Sequence, residues 1–530
     1  MSLPGLGLEE PEEVHTVEAT HHDLAQETEW RFEVAVGKYV QVKVSPAFLA
    51  AAAESRSASD EPSLQLLSGT AELFGTELVI GNTYTFTGTK AAIYTWNGCS
   101  FQVSGDALQS EYTAEETPMS EYINTHFSLE SLRGQAQATG REGPRVLILG
   151  PEDAGKTSLA KILTGYASRA ARSPVVVNLD VKEGVMSIAG TLTATVFKTL
   201  MDVEEGWGTA PMSGPNGAIP VKLPLVYFFG SSKPEEKEGR VYRAQINRLA
   251  LAVAGRTAQD PDARESGIII DTPGSLTTMK SGNTVGYDII QDIVSEFAVS
   301  AIICMGSERL YSDMVKKFDG QPTAFRPSSS TTVASATPET ISVIKLAKSG
   351  GCVDRDEAFM TAFRAAQIRT YFYGNPRLSN GISLQPRHQQ VDFSTLTVWR
   401  RIGTTPDPSA SAYVDSDDED SFLPGGTGDG AEDTSPSSTS KVPLPASQIF
   451  EHMAGPIAAM RSSVLAVMNC DQEAEQEVIR DSTVMGFLYV TDTDEARGRI
   501  SVLSPVAGRV PSRAIVWAGW PEGVLGLERT

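Results

Sequence analysis

The segment GPEDAGKTS, Gly150–Ser158, constrains the fold of this chain more than any other feature. Gly150, Gly155, Lys156 and Thr157 satisfy the spacing GxxxxGK[ST]. The apolar run Val146–Leu149 leads into it, and the helix-like SLAKILTGYA leaves it. Such a loop works only where a buried strand passes into a helix. The glycines let the backbone N–H groups of Asp153, Ala154 and Gly155 approach phosphate oxygens closely, and the helix N-terminus adds a favourable dipole. Lys156 reaches the β and γ phosphates, the Thr157 hydroxyl is placed to ligate Mg²⁺, and Ser158 follows on the first helical turn. The ligand implied is a nucleoside triphosphate, ATP, with Mg as its counter-ion.

The surrounding pattern agrees. Buried-looking runs at 146–149, 174–180, 223–229, 267–271, 301–305 and 341–347 alternate with amphipathic stretches at 156–172, 242–256, 286–297 and 356–371. Continuous Val/Ile/Leu strands between helices imply a parallel sheet with helices on both faces. Two aspartates end strands of this sheet, Asp180 in VVVNLD and Asp271 in IIIDTPG, and strand ends of such sheets face the ligand crevice. Either carboxylate could hold the metal's water or accept a proton from an attacking hydroxyl; Asp180, on the strand after the P-loop helix, is the first choice for both roles. DTPG also resembles a GTPase switch, but no NKxD tetrapeptide accompanies it.

At 530 residues the chain exceeds one hydrophobic core. Short alternating runs from Trp30 to Val103 read as an N-terminal β-sandwich, with Ala50–Ser63 as a loop insertion. A helix is expected at Met119–Arg133. Beyond Tyr373 strand signals return in TLTVWRRI, VMGFLYVT, RISVLSP and RAIVWAG, beside a helix candidate at Gln448–Met460. The expected organisation is a multidomain α/β chain: 1–118 an N-terminal β domain, 119–374 the P-loop domain, and 375–530 a smaller, mostly-β C-terminal domain. Loops at Gly206–Gly217 and Arg326–Pro338 have insertion-like composition. So does the acidic stretch 405–445, which carries a run from Asp415 to Asp420 and a single Lys441, and where Ser416 precedes four acidic residues.

Composition excludes several classes. A net charge of -22 argues against sequence-blind embrace of nucleic acid. No apolar run approaches the ~20 residues of a membrane helix, so no membrane role is expected. The acidic start MSLPGLGLEEPEEV is not a secretory signal, and the four cysteines and six histidines show no metal-ligand spacing. An intracellular chain with no structural metal is expected.

The segments GPRVLILGPEDAGKTSLAKILTGYA, NLDVKEG, ELFGTEL, MSEYINTHFSLESLR, SERLY, KSGG, IRTYFYG and VLSP occur in this order through all three regions. Together they resemble the Clp-type subunit of the eukaryotic pre-mRNA cleavage and polyadenylation machinery, a family related to RNA 5′-hydroxyl kinases. The resemblance implies a nuclear, ATP-bound assembly subunit required for 3′-end cleavage and polyadenylation. Its expected partners are the large scaffold subunit that contacts the RNA polymerase II tail and other cleavage subunits, with RNA contacted indirectly. It places Glu29 and Lys90 over the adenine, and assigns Asp180 and Arg355 the catalytic roles of the active kinases. Three departures speak against RNA phosphorylation: Ser275 where the kinases carry a clasp tryptophan, Met360 in place of a second lid arginine, and Lys182-Glu183 in place of Gly-Gln. ATP is therefore expected as a structural ligand with little or no turnover. The alternatives are an active polynucleotide 5′-hydroxyl kinase and a nucleotide-hydrolysing switch.

Overall fold

The computed structural model describes residues 19–45, 70–105, 108–207, 224–278, 284–323, 339–378, 381, 383–402 and 448–527. The insertion 50–63, the run LQLL, most of Gly206–Gly217, Arg326–Pro338, and 405–445 with Ser416 lie outside these residues.

The N-terminal strands form two antiparallel sheets. One orders β1 (Thr20–Leu24), β8 (Cys99–Ser104), β3 (Val40–Ser45) and β6 (Thr83–Phe86); the other orders β5 (Thr76–Glu77), β4 (Ala71–Leu73), β7 (Thr89–Thr95), β2 (Thr28–Val34) and β9 (Leu108–Ala114). Trp30, Phe32 and Val34 of TEWRFEV enter the sandwich core with Ile93 and Phe101. Strand alternation therefore turns Glu29, Arg31 and Glu33 to the opposite face, the one that looks toward the P-loop.

The sandwich docks on the P-loop helix through the ELFGTEL turn. Gly75 has φ 77°, and a Cβ there would lie 2.7 Å from the Ile162 carbonyl oxygen. The turn thus meets the helix backbone to backbone, which only glycine permits.

Helix α1 (Met119–Thr139) leads into a seven-stranded sheet built from β10 (Arg145–Leu149), β11 (Val175–Asn178), β12 (Thr191–Val196), β13 (Leu225–Phe228), β14 (Ile268–Asp271), β15 (Ala301–Met305) and β16 (Ser342–Leu346), in the order β13-β12-β11-β14-β10-β15-β16. Alternate residues serve two cores. Leu147, Leu149, Val177 and Ile270 pack against α3 (Arg240–Gln259), α5 (Val285–Glu296) and α6 (Glu308–Phe318), with α4 (Pro261–Ser266) closing that side. Val146, Ile148, Val176 and Ile269 pack against α1 and the P-loop helix α2 (Lys156–Arg169). Both faces are covered, as the unbroken apolar runs require.

Two features differ from the sequence reading. The sheet is mixed: Thr191–Val196, not recognised as a strand, pairs antiparallel with both β11 and β13. Its small Thr and Ala side chains lack the Val/Ile density that marks the other strands. The helix expected at Gln448–Met460 does not form. Phe450–His452 is an edge strand antiparallel to Trp399–Arg401, and only Ala458–Met460 makes a 3-10 turn. Gly455 and Pro456 interrupt any helical ladder there, while strand pairing satisfies backbone groups along the edge.

The C-terminal seven-stranded sheet packs on α7 (Glu357–Tyr373), where Tyr371 and Phe372 join Phe487 and Tyr489 in one core. No helix among the described residues is long and apolar enough to cross a membrane.

Candidate functional site

Strand β10 is buried at every position and delivers the chain into the loop. Gly150 packs under the end of β15: a Cβ there would stand 2.9 Å from the Met305 carbonyl oxygen. Ala154 is wholly buried. Gly155 caps α2 with φ 85°, and a Cβ there would collide with the Cys352 sulfur at 2.6 Å. Gly150 and Ala154 thus shape the loop from behind, while Asp153, Gly155, Lys156, Thr157 and Ser158 line the cleft above it.

Lys156 arches back, its Nζ donating to the Pro151 carbonyl at 2.7 Å. The Thr157 hydroxyl donates to Asp271 Oδ2 at 2.5 Å. The nearer carboxylate is therefore Asp271 rather than Asp180. The cause is strand order: β14, late in sequence, inserts between β10 and β11, so Asp271 stands opposite Ile148 beside the P-loop. Asp180 follows β11, one strand farther out, with its Oδ1 accepting from the Lys182 backbone N–H at 2.9 Å. Burial raises the Asp271 pKa to about 7, against the opposing pull of Lys156. Burial, with Glu183 nearby, raises that of Asp180 to about 6.

The cleft has a volume of about 300 Å³. Its floor is the P-loop and α2, one wall is the β2/β7 face of the sandwich, and its roof is the 349–355 loop with the first turns of α7. Glu29 and Lys90 both line it, but they are not neighbours. Glu29 pairs in register with Tyr94 and Lys90 with Glu33, a four-residue offset of about 13 Å along the strands. Glu29 is buried, held by Arg31 and by the Thr117 hydroxyl at 3.1 Å. Lys90 pairs with Glu33 at 2.9 Å and lies 5.0 Å over the Phe359 ring of α7, so it spans from the sandwich to the roof.

Arg355 does not point into open space. Its Nε donates to Asp153 Oδ1 at 2.6 Å, its backbone N–H donates to Asp153 Oδ2 at 3.0 Å, and its Nη2 pairs with Glu183. Burial opposes ionisation of Glu183, but Arg355 outweighs it and holds that carboxyl below its usual range. Lys182 pairs with Glu152 at 2.6 Å. Met360, Lys182 and Glu183 all line the cleft; Ser275 does not.

Several cleft residues are not singled out by sequence. Lys161, one turn along α2, sits 5.1 Å over the Phe74 ring with its pKa lowered by burial. Phe359 and Phe363 form a near-parallel pair, 6.3 Å between centroids, on the roof. Arg31 is the third. The alternation of TEWRFEV already placed it on the face of Glu29; Lys161 of α2 and the aromatic pair of α7 had no local signal.

Comparison with known proteins gives three consecutive family matches. Residues 51–136 match the N-terminal beta-sandwich domain of polyadenylation factor, residues 150–374 the mRNA cleavage and polyadenylation factor CLP1 P-loop, and residues 384–522 the pre-mRNA cleavage complex II protein Clp1. The mRNA cleavage and polyadenylation factor clp1 of Aspergillus terreus is 48% identical over 586 aligned residues, covering 99% of this chain and 100% of that protein. That of Aspergillus niger is 49% identical, covering 97% of this chain and 98% of that protein. Among solved structures, a wild-type Clp1p–Pcf11p complex matches in fold with a TM-score of 0.71 at 23% identity, covering 95% of this chain and 98% of that one. A second, at 22% identity and the same TM-score, concerns an extended Pcf11p–Clp1p interface and ATP loss in a glycine-to-arginine mutant. With near-complete coverage at almost half identity, and with the P-loop, sandwich and C-terminal sheet in the order of the three family matches, this chain belongs to the Clp1 family of mRNA cleavage and polyadenylation factors.

Proposed function

We propose that this chain is a nuclear assembly subunit of the pre-mRNA cleavage complex that holds ATP as a structural ligand with little or no turnover. The observation that carries the reading is the neutralisation of Arg355. Charge stabilisation of a transferring phosphoryl group needs a cation free to meet it, and the lid guanidinium is already held by Asp153 and Glu183. Met360 offers no replacement.

In this reading the triphosphate lies along Gly150–Ser158 with Lys156 on its terminal phosphates, and the base extends toward Glu29 and Lys90. The roof and the sandwich then close on the ligand from opposite sides, so ATP ties the region proposed as domain 1–118 to 119–374, ahead of 375–530. The donor set beside Thr157 suits Mg²⁺: Asp271 is buried, and its Oδ1 has no hydrogen-bond partner. Thr157 and Asp271, with Asp180 through water, would hold the ion, which neutralises phosphate charge when bound.

The solved relative's complex with Pcf11p supports a protein partner for this chain as well; in this reading the partner is the large scaffold subunit that contacts the polymerase tail. The competing reading is a 5′-hydroxyl kinase with Asp180 as base, favoured by its pKa of about 6. Two measurements decide. Purified protein should retain intact ATP, and single-turnover incubation with γ-labelled ATP and a 5′-hydroxyl oligoribonucleotide should leave the RNA unlabelled. Label in RNA that vanishes in Asp180→Ala would overturn the structural reading.

A further inference from the structure

We propose that Arg31 is the positioning residue for base selection: it fixes Glu29 as an acceptor for the exocyclic amine of adenine and joins that acceptor to the roof of the cleft. This rests on the proposal that ATP occupies the cleft with its base toward Glu29.

Arg31 is a buried cation on the cleft face of β2, and each of its three guanidinium nitrogens has a partner. Nε and Nη2 both lie 2.5 Å from Glu29 Oε1. Nη2 also donates to the Glu116 carbonyl at 2.9 Å, and Nη1 faces the Tyr112 hydroxyl at 3.4 Å. The Glu116 carbonyl immediately precedes Thr117, whose hydroxyl donates to the other Glu29 oxygen. One guanidinium therefore orients one carboxylate oxygen directly and anchors the backbone that orients the other. Lysine, a single point charge, cannot hold this planar arrangement.

The opposite side of Arg31 meets the roof. The Gly350–Gly351 backbone lies against the guanidinium so closely that a Cβ at either position would come within 3.1 Å and 3.0 Å of its nitrogens. These glycines belong to the KSGG segment, which leads directly to Cys352 and Arg355. The cleft's base end and its lid thus share one rigid contact.

The chemical consequence is selectivity. A salt-bridged carboxylate offers only acceptors. It suits the adenine amino group and meets the guanine carbonyl oxygen with repulsion, and a site built to hydrogen-bond one group rejects the analogue that lacks it. Selectivity requires that Glu29 not swing away, and Arg31 prevents that.

The test uses the full chain and three probes: ATP, GTP and inorganic tripolyphosphate, each with Mg²⁺. Arg31→Lys is expected to weaken ATP about tenfold while leaving GTP and tripolyphosphate within about twofold, on the usual strength of a hydrogen bond to a charged group. Glu29→Gln should also erase the ATP preference, and adding Arg31→Lys to it should cost little more. An unchanged ATP-to-GTP ratio in Arg31→Lys overturns the inference, as does a proportional loss for all three probes, which would mark a general folding defect. So does full additivity in the double variant. If the wild-type chain binds no ATP, the parent reading fails as well.

Discussion

Arg355 grips Asp153 from two sides, with Nε 2.6 Å from one carboxylate oxygen and its backbone N–H 3.0 Å from the other. Asp153 sits in the P-loop with φ 53°, in a region of backbone space that a non-glycine residue enters only when its surroundings hold it. The lid and the phosphate loop are thus latched together. Asp153→Ala should release the latch and speed nucleotide departure about tenfold, the equivalent of one charge-assisted hydrogen bond, without creating phosphoryl transfer. Release of a fluorescent ATP analogue on dilution measures this; an unchanged off-rate would refute the latch.

Gly155 should be intolerant of any side chain. Its φ of 85° and the Cys352 sulfur 2.6 Å from an added Cβ act together. Gly155→Ala should lose retained nucleotide while keeping its far-ultraviolet circular dichroism, because the sheet does not depend on the loop. Adding Cys352→Ala relieves only the collision, so binding should return in part. The backbone strain of about 1–3 kcal/mol remains. Complete recovery would show that crowding alone excluded the side chain.

His126, buried on α1 against Tyr166, has its pKa lowered to about 4, chiefly by burial and then by Arg133. The sign follows from linkage. The unfolded chain takes up a proton near pH 6.5 and the folded chain only near 4, so stability is lost as pH falls through that window. The loss approaches about 2 kcal/mol at pH 5. His126→Gln cannot titrate, so its urea midpoint relative to wild type should improve between pH 7 and pH 5. An identical difference at both pH values would remove His126 as a source of acid sensitivity.

Arg364 lies on α7, 2% exposed, stacked 4.6 Å from the Trp520 ring centroid and hydrogen-bonded to Glu522 at 2.8 Å through Nε. It fastens the lid helix to the segment that follows the last strand of the C-terminal sheet. Arg364→Ala leaves Glu522, itself 30% exposed, to water and should cost about 1.5–3 kcal/mol, the usual strength of hydrogen bonds to a charged group. Amide exchange along Glu357–Tyr373 should accelerate in the same variant. Exchange confined to the C-terminal strands would place the coupling elsewhere.

Much of the fold was legible because its signals are local. The P-loop is one uninterrupted segment, the core strands of the central sheet are dense in Val and Ile, and TEWRFEV alternates cleanly. The strand Thr191–Val196 was not legible, because Thr and Ala carry little apolar density; its identity as a strand comes from hydrogen bonds to β11 and β13. The Gln448–Met460 stretch misled for the converse reason. Its apolar spacing resembles a helix, but the need to pair the edge at Trp399–Arg401 prevails over local preference.

The sequence by itself determined that Gly150–Thr157 forms a P-loop between a strand and a helix, and that Asp180 and Asp271 stand at strand ends. Only the tertiary structure decided which aspartate meets Thr157. Inserting β14 between β10 and β11 brings Asp271, 114 residues away, to 2.5 Å and leaves Asp180 one strand out. It also decided that Arg355 is spent on Asp153 and Glu183. A motif encodes the groups present along a segment, but which charges neutralise one another depends on distances set by strand order and packing.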